Sequence, residues 1–257
     1  MTEITISIVT YNNEQTIVRS LDSLFAFCPD DISYKVYVID NGSTDQTIAS
    51  LARFSDRITL IRSENGNIGF GAAHNLIMKQ LDSNMHLIMN PDIFFVDKES
   101  IKVLYRYLAD HPDVGMAVPE IVDEQGQIQY LCRRELTFLD LFLRFIPGHL
   151  SRKREDYHTM KDKDYKQPFD VEFASGCLMA VRTSLFKKLG GFDEAFFLYA
   201  EDADFTRRVN QTTRTVYVPQ SVVCHAWERA SYRDPVRTRI HLKSLRHYFR
   251  KWGFRFK

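Results

Sequence analysis

Short apolar runs of strand length alternate with segments of helical periodicity through the first half of the chain. The predicted strands are Ile4 to Thr10, Tyr34 to Ile39, Ile58 to Ile61 and Met85 to Met89. Between them, apolar residues recur at the spacing of one helix face, as at Ile17, Leu21 and Leu24. Strands that alternate with helices in this way predict right-handed βαβ units around a mostly parallel, Rossmann-like sheet.

The second half is less regular but remains α/β in pattern. Its predicted elements are a helix at Ser100 to Leu108, a strand at Val114 to Val118, a hairpin at Ile121 to Leu131, strands within Phe169 to Val181, a helix at Ala200 to Val209 and a strand at Thr215 to Cys224. Leu136 to Tyr165 is the least regular region and is highly charged from Arg152 onward. It predicts a surface loop or lid.

Polar side chains follow the predicted parallel strands at their carboxyl ends: Asn12, Asp40, Asn65 and Asp92. Pro91 cannot donate to a sheet ladder, so the fourth strand must stop just before Asp92. Single turn caps would explain each residue separately. Because parallel strands share one carboxyl edge, where ligands bind, we instead expect these side chains to converge on a site for sugars, bases or metals.

Two further segments carry candidate chemistry. The turn Asn65 to Gly71 has glycines spaced GxxGxG rather than GxGxxG, so a dinucleotide fingerprint is not indicated, although the turn can hold a phosphate or ribose. Glu201, Asp202 and Asp204 open a predicted helix beside aromatic residues. Helix capping explains acids at this position, but an apolar wall also suits a general base.

Composition narrows the class of protein. The 257 residues are 44% hydrophobic and 26% charged, as in an ordinary soluble protein, and no apolar run reaches the length of a membrane span. The amino terminus lacks a basic region before its first strand, which predicts a cytoplasmic location. Four scattered cysteines argue against a zinc site or a disulfide framework.

The net charge of +1 conceals a basic segment at 231–257. As a helix, it places Leu242, Leu245, Tyr248, Phe249 and Trp252 on one face and Arg239, Lys243, Arg246 and Arg250 on the next. Such a tail suits an anionic membrane surface, and the alternatives are a helix docked on the domain or a homodimer contact. Nucleic-acid binding is not expected, because the basic residues are confined to the tail.

An ordered set of motifs resembles family 2 glycosyltransferases, most of all their bacterial rhamnosyltransferase-like branch, over residues 3 to 230. The motifs are Ser7-Ile8-Val9-Thr10-Tyr11-Asn12, Asp40-Asn41-Gly42-Ser43-Thr44-Asp45, Asn67-x-Gly69-Phe70 through Asn75, Asn90-Pro91-Asp92, Ser175-Gly176-Cys177, Gly191-Phe192-Asp193-Glu194 and Glu201-Asp202-x-Asp204. The resemblance implies a GT-A fold over 1–230, with a nucleotide-sugar half at 1–118 and an acceptor and catalytic half at 119–230.

The resemblance also implies an activity and roles for residues. The expected reaction is inverting transfer of a sugar, L-rhamnose from dTDP-L-rhamnose, to a lipid-linked cell-surface glycan at the membrane's cytoplasmic face. Asp202 would match the catalytic base, with Glu201 beside it, and Asp92 and His225 would match ligands of Mg²⁺ or Mn²⁺. Asn90 departs from the family's DxD pattern, which weakens the expectation of a metal.

The remaining expected site residues follow from the same motifs. Those expected at the nucleotide sugar are Thr10, Tyr11, Asn12, Asp40, Asn67, Gly69, Asn75, Asn90 and Asp92, and those on the acceptor side are Ser175, Gly176, Asp204 and Trp227. Three alternatives stay open: a UDP-sugar donor, a nucleotidyltransferase and a non-catalytic scaffolding module at the membrane. A nucleotidyltransferase would need a basic glycine-rich loop after the first strand, which Thr10 to Glu14 lacks.

Overall fold

The computed structural model describes residues 2–135, 137, 149–226 and 235–253. The strands are β1 (Ile4–Thr10), β2 (Tyr34–Asp40), β3 (Thr59–Arg62), β4 (Met85–Met89), β5 (Ile93–Phe95), β6 (Val114–Val122), β7 (Cys132–Arg133), β8 (Phe169–Asp170), β9 (Phe173–Ala174), β10 (Leu178–Arg182) and β11 (Arg214–His225). The helices are α1 (Ile17–Phe27), α2 (Thr47–Leu51), α3 (Phe70–Asn75), α4 (Ser100–Asp110), α5 (His149–His158), α6 (Thr183–Lys188), α7 (Glu201–Asn210) and α8 (Pro235–Trp252).

A nine-stranded sheet in the order β3-β2-β1-β4-β10-β6-β11-β5, with β8 paired to β11, forms the centre of the molecule. Strands β3, β2, β1 and β4 are parallel, which aligns Thr10 with Asp40 at their carboxyl ends. Strand β10 runs antiparallel between β4 and β6. The predicted α/β architecture, with a central sheet flanked by helices, is confirmed, and the sheet is mixed, with four parallel and four antiparallel pairings.

The sheet is buried on both faces, which explains why its central strands are continuous apolar runs. All seven residues of β1 are buried. Alternate residues feed two apolar clusters: Ile6 and Ile8 join α1 on one face, while Val9 lies with the residues of α3 on the other. This two-sided packing holds the carboxyl ends of the strands in fixed positions.

Helix α5 corrects the prediction for the charged segment. The sequence indicated a loop or lid across Leu136 to Tyr165, but residues 149–158 are helical. The segment lacks the apolar periodicity by which a helix is recognised, yet Arg, Lys and Glu have good intrinsic helix propensity. The apolar stretch predicted at Phe138 to Ile146 lies outside the described residues.

Helix α8 docks on the domain through its apolar face. Leu245, Tyr248 and Phe249 are buried in a cluster with Phe196 and other residues around α7. Docking, one of the alternatives left open by the sequence, is therefore the arrangement of these three residues, whereas Leu242, predicted on the same face, is 62% exposed. Within the described ranges, no helix combines the length and the apolar character needed to cross a membrane.

Candidate functional site

The first two strand ends meet as predicted. Asn12 adopts the left-handed conformation, with φ of 56°, and its Oδ1 accepts a hydrogen bond of 2.8 Å from the Thr44 N–H. The Asn12 N–H in turn donates to Ser43 Oγ at 3.0 Å. Asp40 is buried beneath this turn, where its Oδ1 accepts from the Ser43 N–H at 3.3 Å. Two loops from adjacent strands thus form one polar wall.

Tyr11 and Thr10 differ in their exposure to solvent. The Tyr11 side chain is 46% exposed, so its ring offers an apolar face to a ligand. Thr10 is fully buried, and its hydroxyl donates to Asn13 Oδ1 at 3.2 Å. Thr10 therefore shapes the loop, whereas Tyr11 is available for contact.

Asn41 holds the glycine-rich turn, a role that sequence analysis missed. Its Nδ2 donates to Asn67 Oδ1 at 3.0 Å and to the Gly69 carbonyl at 3.2 Å. Its Oδ1 accepts from the Ile68 N–H at 3.0 Å. Asn65, which the sequence placed among the converging side chains, is instead exposed at the turn. Asn67, through its hydrogen bond with Asn41, is the residue of this turn that contacts the Asp40 loop.

Gly69 is required by a close approach of two backbone segments. Its φ is +96°, and a Cβ there would collide with the Phe197 carbonyl oxygen. The adjacent Phe70 N–H donates to that same oxygen at 3.0 Å. The glycine-rich turn of the first half is therefore fastened directly to the segment that leads into α7.

The side-chain amide of Asn75 forms hydrogen bonds with the backbone of the loop before α7. Its Nδ2 donates to the Phe192 carbonyl at 2.8 Å, and its Oδ1 accepts from the Phe192 N–H at 2.9 Å. Nδ2 also lies 3.0 Å from Glu194 Oε1. The sequence suggested contact with the nucleotide sugar, but these bonds give Asn75 a structural role, which fastens α3 to the loop before α7.

Asp92 and His225 are brought together by the pairing of β5 with β11. Ile93 lies opposite His225 in that antiparallel ladder. Asp92 Oδ2 is 3.4 Å from His225 Nε2. Asp92 Oδ1 is buried and has no hydrogen-bond partner among the described residues. A carboxylate oxygen left without a partner in this way favours a cation.

These donor atoms fit a divalent metal that takes further ligands from its substrate. Mg²⁺ and related ions bind through oxygen ligands, often one or two carboxylates together with substrate phosphates. The described residues include no cluster of three or more His, Cys, Asp or Glu side chains that could hold a metal by themselves. Asn90 is beside the pair, and its N–H donates to the Cys177 carbonyl at 2.9 Å.

Asp202 stands at the start of α7 against the loop between β9 and β10. Its Oδ2 accepts from the Gly176 N–H at 3.0 Å, and its Oδ1 accepts from the Ala203 N–H at 2.9 Å. Tyr199 and Ala200 enter the helix in the left-handed conformation, with φ of 70° and 65°. Consecutive non-glycine residues in this region are strained, as is common at functional sites.

Glu201 and Asp202 form an acidic pair in an environment that disfavours charge. Burial, and then the neighbouring negative charge of Asp202, raise the pKa of Glu201 well above its ordinary value. Burial also raises the pKa of Asp202, while hydrogen bonds from the backbone of Gly176 and Ala203 oppose that rise. Glu201 Oε2 is buried without a hydrogen-bond partner in the described part of the chain. The half-buried Asp202 is the better placed of the two to meet a substrate.

Replacement of Glu201 by Gln is expected to change how stability depends on pH. Between about pH 4.3, the ordinary value for Glu, and the raised pKa of Glu201, the native state binds more protons than the unfolded state. The free energy of unfolding of the wild type therefore falls as pH rises through that window. Glu201→Gln removes this contribution. In thermal melts from pH 5 to pH 9, the melting temperature of the variant should therefore rise relative to that of the wild type as pH increases. Parallel curves would show that Glu201 titrates normally.

Asp204 anchors α8 and does not join the acidic pair. It is fully buried, and its Oδ2 accepts from Arg208 Nε at 2.8 Å. Its Oδ1 lies 2.8 Å from Lys251 Nζ and accepts from Trp252 Nε1 at 2.9 Å. The acceptor-side role suggested by the sequence is therefore not supported for Asp204. Trp227, which was also expected on the acceptor side, lies outside the described residues.

Comparison with known proteins identifies the family to which this chain is similar. The sequence profile of glycosyl transferase family 2 matches residues 5–190. An N-acetylglucosaminyl-diphospho-decaprenol L-rhamnosyltransferase of Mycobacterium tuberculosis is 28% identical over 241 residues, which span 88% of this chain and 77% of the relative. The rhamnosyltransferase WbbL of Escherichia coli is 26% identical over 229 residues, with 86% and 82% covered.

A solved structure has the same fold. The mannosyltransferase PcManGT of Pyrobaculum calidifontis, in complex with GDP-Man and Mn²⁺, superposes with a TM-score of 0.68 at 20% identity. The match covers 96% of this chain but only 64% of that one. The likeness shows a shared GT-A architecture.

Proposed function

The chain belongs to glycosyl transferase family 2, and we propose that it transfers L-rhamnose from dTDP-L-rhamnose to a hydroxyl of a lipid-linked glycan, with inversion at the anomeric carbon. The choice of sugar is supported by the names of two relatives, an L-rhamnosyltransferase and the rhamnosyltransferase WbbL. The lipid-linked acceptor is supported by the first of these names, which specifies a diphospho-decaprenol.

One observation carries the catalytic part of the proposal: a single dipeptide touches both candidate centres. The Gly176 N–H donates to Asp202, and the Cys177 carbonyl accepts from the Asn90 N–H, two residues before Asp92. A base for the acceptor and a metal ligand for the donor diphosphate are therefore neighbours. This is the arrangement that a direct displacement between two substrates needs.

The residues divide the chemistry as follows. Tyr11, Asn12 and Asp40 bind the base and ribose, and Asp92 and His225 would hold Mg²⁺ or Mn²⁺. When bound, the metal neutralises the negative charge that develops on the diphosphate leaving group. Asp202 accepts the proton of the acceptor hydroxyl as that oxygen attacks the anomeric carbon from the opposite face. One displacement inverts the configuration.

A panel of donors and one acceptor tests this proposal. The protein is incubated with dTDP-L-rhamnose, UDP-sugars or GDP-mannose, with Mg²⁺ or Mn²⁺, and with a short-chain prenyl diphosphate that carries N-acetylglucosamine. We expect the fastest acceptor-dependent release of nucleotide from dTDP-L-rhamnose, and an inverted linkage in the product. Faster turnover of a UDP-sugar would replace the donor, and no turnover of any donor would favour the scaffolding alternative.

The outer face of α8 supports a location at an anionic membrane surface on its cytoplasmic side. Arg239, Lys243, Arg246 and Arg250 are exposed and make no ion pair among the described residues. Helix α8 contains no acidic residue. Because its apolar face is docked on the domain, we propose that positive charge, rather than insertion of the aromatic residues, holds the protein near lipid.

Neutralising that face should release the protein from vesicles. The variant carries Arg239→Gln, Lys243→Gln, Arg246→Gln and Arg250→Gln together. At about 1 kcal/mol for each basic residue near an anionic surface, we expect a loss of about 4 kcal/mol in binding free energy to phosphatidylglycerol vesicles. Vesicle co-sedimentation measures the effect, and the thermal melt should remain unchanged because these side chains point away from the docked face.

A second variant with the same change in charge is the control. It carries Lys79→Gln, Lys98→Gln, Lys163→Gln and Lys188→Gln, all exposed positions outside α8. Binding of this control should fall much less. An equal loss in both variants would mean that net charge, and not the α8 surface, governs association.

A further inference from the structure

Gln129 makes two hydrogen bonds to a single residue, His225. Its Nε2 donates to the His225 carbonyl at 2.9 Å, and its Oε1 lies 3.0 Å from His225 Nδ1. The backbone of Gln129 is itself fixed, because its N–H donates to the Ile121 carbonyl in β6 at 2.7 Å. A half-buried amide with a fixed backbone thus bridges β6 and the end of β11.

This pair of bonds determines which ring nitrogen of His225 carries the proton. A backbone carbonyl can only accept, so the amide must present its NH₂ group to the carbonyl and its oxygen to the ring. An amide oxygen also only accepts, so Nδ1 must be the donor. In the neutral imidazole, Nε2 is then left with its lone pair.

That lone pair points at a carboxylate. His225 Nε2 is 3.4 Å from Asp92 Oδ2. Two acceptor atoms that face each other repel unless a proton or a metal ion lies between them. The second carboxylate oxygen, Asp92 Oδ1, is buried without a partner among the described residues. The arrangement therefore favours a cation.

We propose that Gln129 is a positioning residue, which holds His225 in the orientation and tautomer that leave Nε2 free to bind the divalent metal at the donor diphosphate. The inference rests on the proposed function, since it assigns the metal to Asp92 and His225. Partners of this kind, hydrogen-bonded to the second nitrogen of a ligating histidine, commonly change metal affinity by a factor of about 10–100.

Two substitutions of Gln129 distinguish its hydrogen bond to the His225 ring from its hydrogen bond to the His225 carbonyl. Gln129→Leu removes both hydrogen bonds. Gln129→Glu keeps an oxygen that accepts from Nδ1 but removes the donor to the His225 carbonyl. Gln127→Leu is the matched control, because Gln127 is exposed in the same loop and its hydrogen bonds to described residues involve only its backbone.

The first measurement is Mn²⁺ affinity by electron paramagnetic resonance, with dTDP or UDP present. We expect Gln129→Leu to weaken Mn²⁺ binding about 10–100-fold, and Gln129→Glu to retain affinity near that of the wild type. Thermal melts confirm that each variant is folded. Unchanged affinity in Gln129→Leu, or an equal loss in both Gln129 variants, would overturn the proposal.

The second measurement needs no metal, so it separates a failure of this inference from a failure of the proposed function. Nitrogen-15 spectra of histidine-labelled protein report the ring tautomer, with His225→Gln used to assign the signal. We expect an unprotonated Nε2 in the neutral ring of the wild type and a proton shifted toward Nε2 in Gln129→Leu. A wild type with the expected tautomer but no Mn²⁺ binding would refute the metal assignment alone, whereas a protonated Nε2 in the wild type would refute the role of Gln129.

Discussion

Asp202→Asn is expected to lower the turnover of glycosyl transfer by a factor of about 10²–10⁴, the usual contribution of a general base. An amide cannot take the proton of the acceptor hydroxyl, although its oxygen can still accept the hydrogen bond from the Gly176 N–H. The loop around the base should keep its position, so dTDP affinity should stay within about threefold, a difference below 1 kcal/mol. Single-turnover rates and calorimetric titration measure the two quantities separately.

Asp204→Asn is the matched control within the same acidic cluster. Asp204 is buried in ion pairs with Arg208 and Lys251. Loss of its charge leaves two cations without their partner, which should lower the melting temperature, while turnover of the folded protein falls far less than in Asp202→Asn. Near-normal turnover in Asp202→Asn would move the base to Glu201.

Asp92→Ala should weaken dTDP binding strongly when Mn²⁺ is present and only slightly when a chelator has removed it. With the carboxylate gone, His225 is the remaining proposed ligand, and a loss of about 10-fold or more in metal-dependent affinity is expected. Titration of dTDP with Mn²⁺ and with EDTA provides the comparison. Equal losses in both conditions would show that Asp92 does not act through a metal.

Asn90→Asp is the companion variant to Asp92→Ala. It restores the first carboxylate of the family's DxD pattern without changing side-chain size. It should raise metal-dependent dTDP affinity, because hard divalent cations prefer anionic oxygen ligands. An unchanged affinity would place Asn90 outside the reach of the metal.

The meeting of Asn12 with the Asp40 loop could be predicted because strand direction alone determines it. Parallel neighbours with a common carboxyl edge align Thr10 with Asp40 whatever the loops contain. The pairing of Asp92 with His225 depends on β11 returning beside β5. Local sequence does not encode that contact, although His225 was expected as a metal ligand beside Asp92.

Polar residues that bind the scaffold are hard to distinguish from those that bind substrate. Asn75 and Asp204 matched expected site motifs, but their polar atoms are used in contacts with Phe192 and with α8. The reverse holds for Asn41 and Gln129. The sequence assigned no role to either residue, yet both hold site residues in place. In each case the partner is distant in sequence.

The amphipathic tail shows a similar limit. Its periodicity predicted a helix with one apolar and one basic face, and α8 has both. Burial of Leu245 and Tyr248 against protein or against lipid removes the same apolar surface from water, so the pattern cannot identify the partner. The domain surface around Phe196 decides the outcome.

The anchoring of Asp204 by the last turn of α8 has a consequence for biosynthesis. Chains fold from the amino terminus as they leave the ribosome, so the β1–β4 half can form while later residues are still being added. The helix that carries Asp202 and Asp204 obtains its partners Lys251 and Trp252 only after α8 has been added, more than 40 residues later in the chain. During synthesis, α7 therefore lacks the contacts that Asp204 makes with α8 until α8 has been added to the chain.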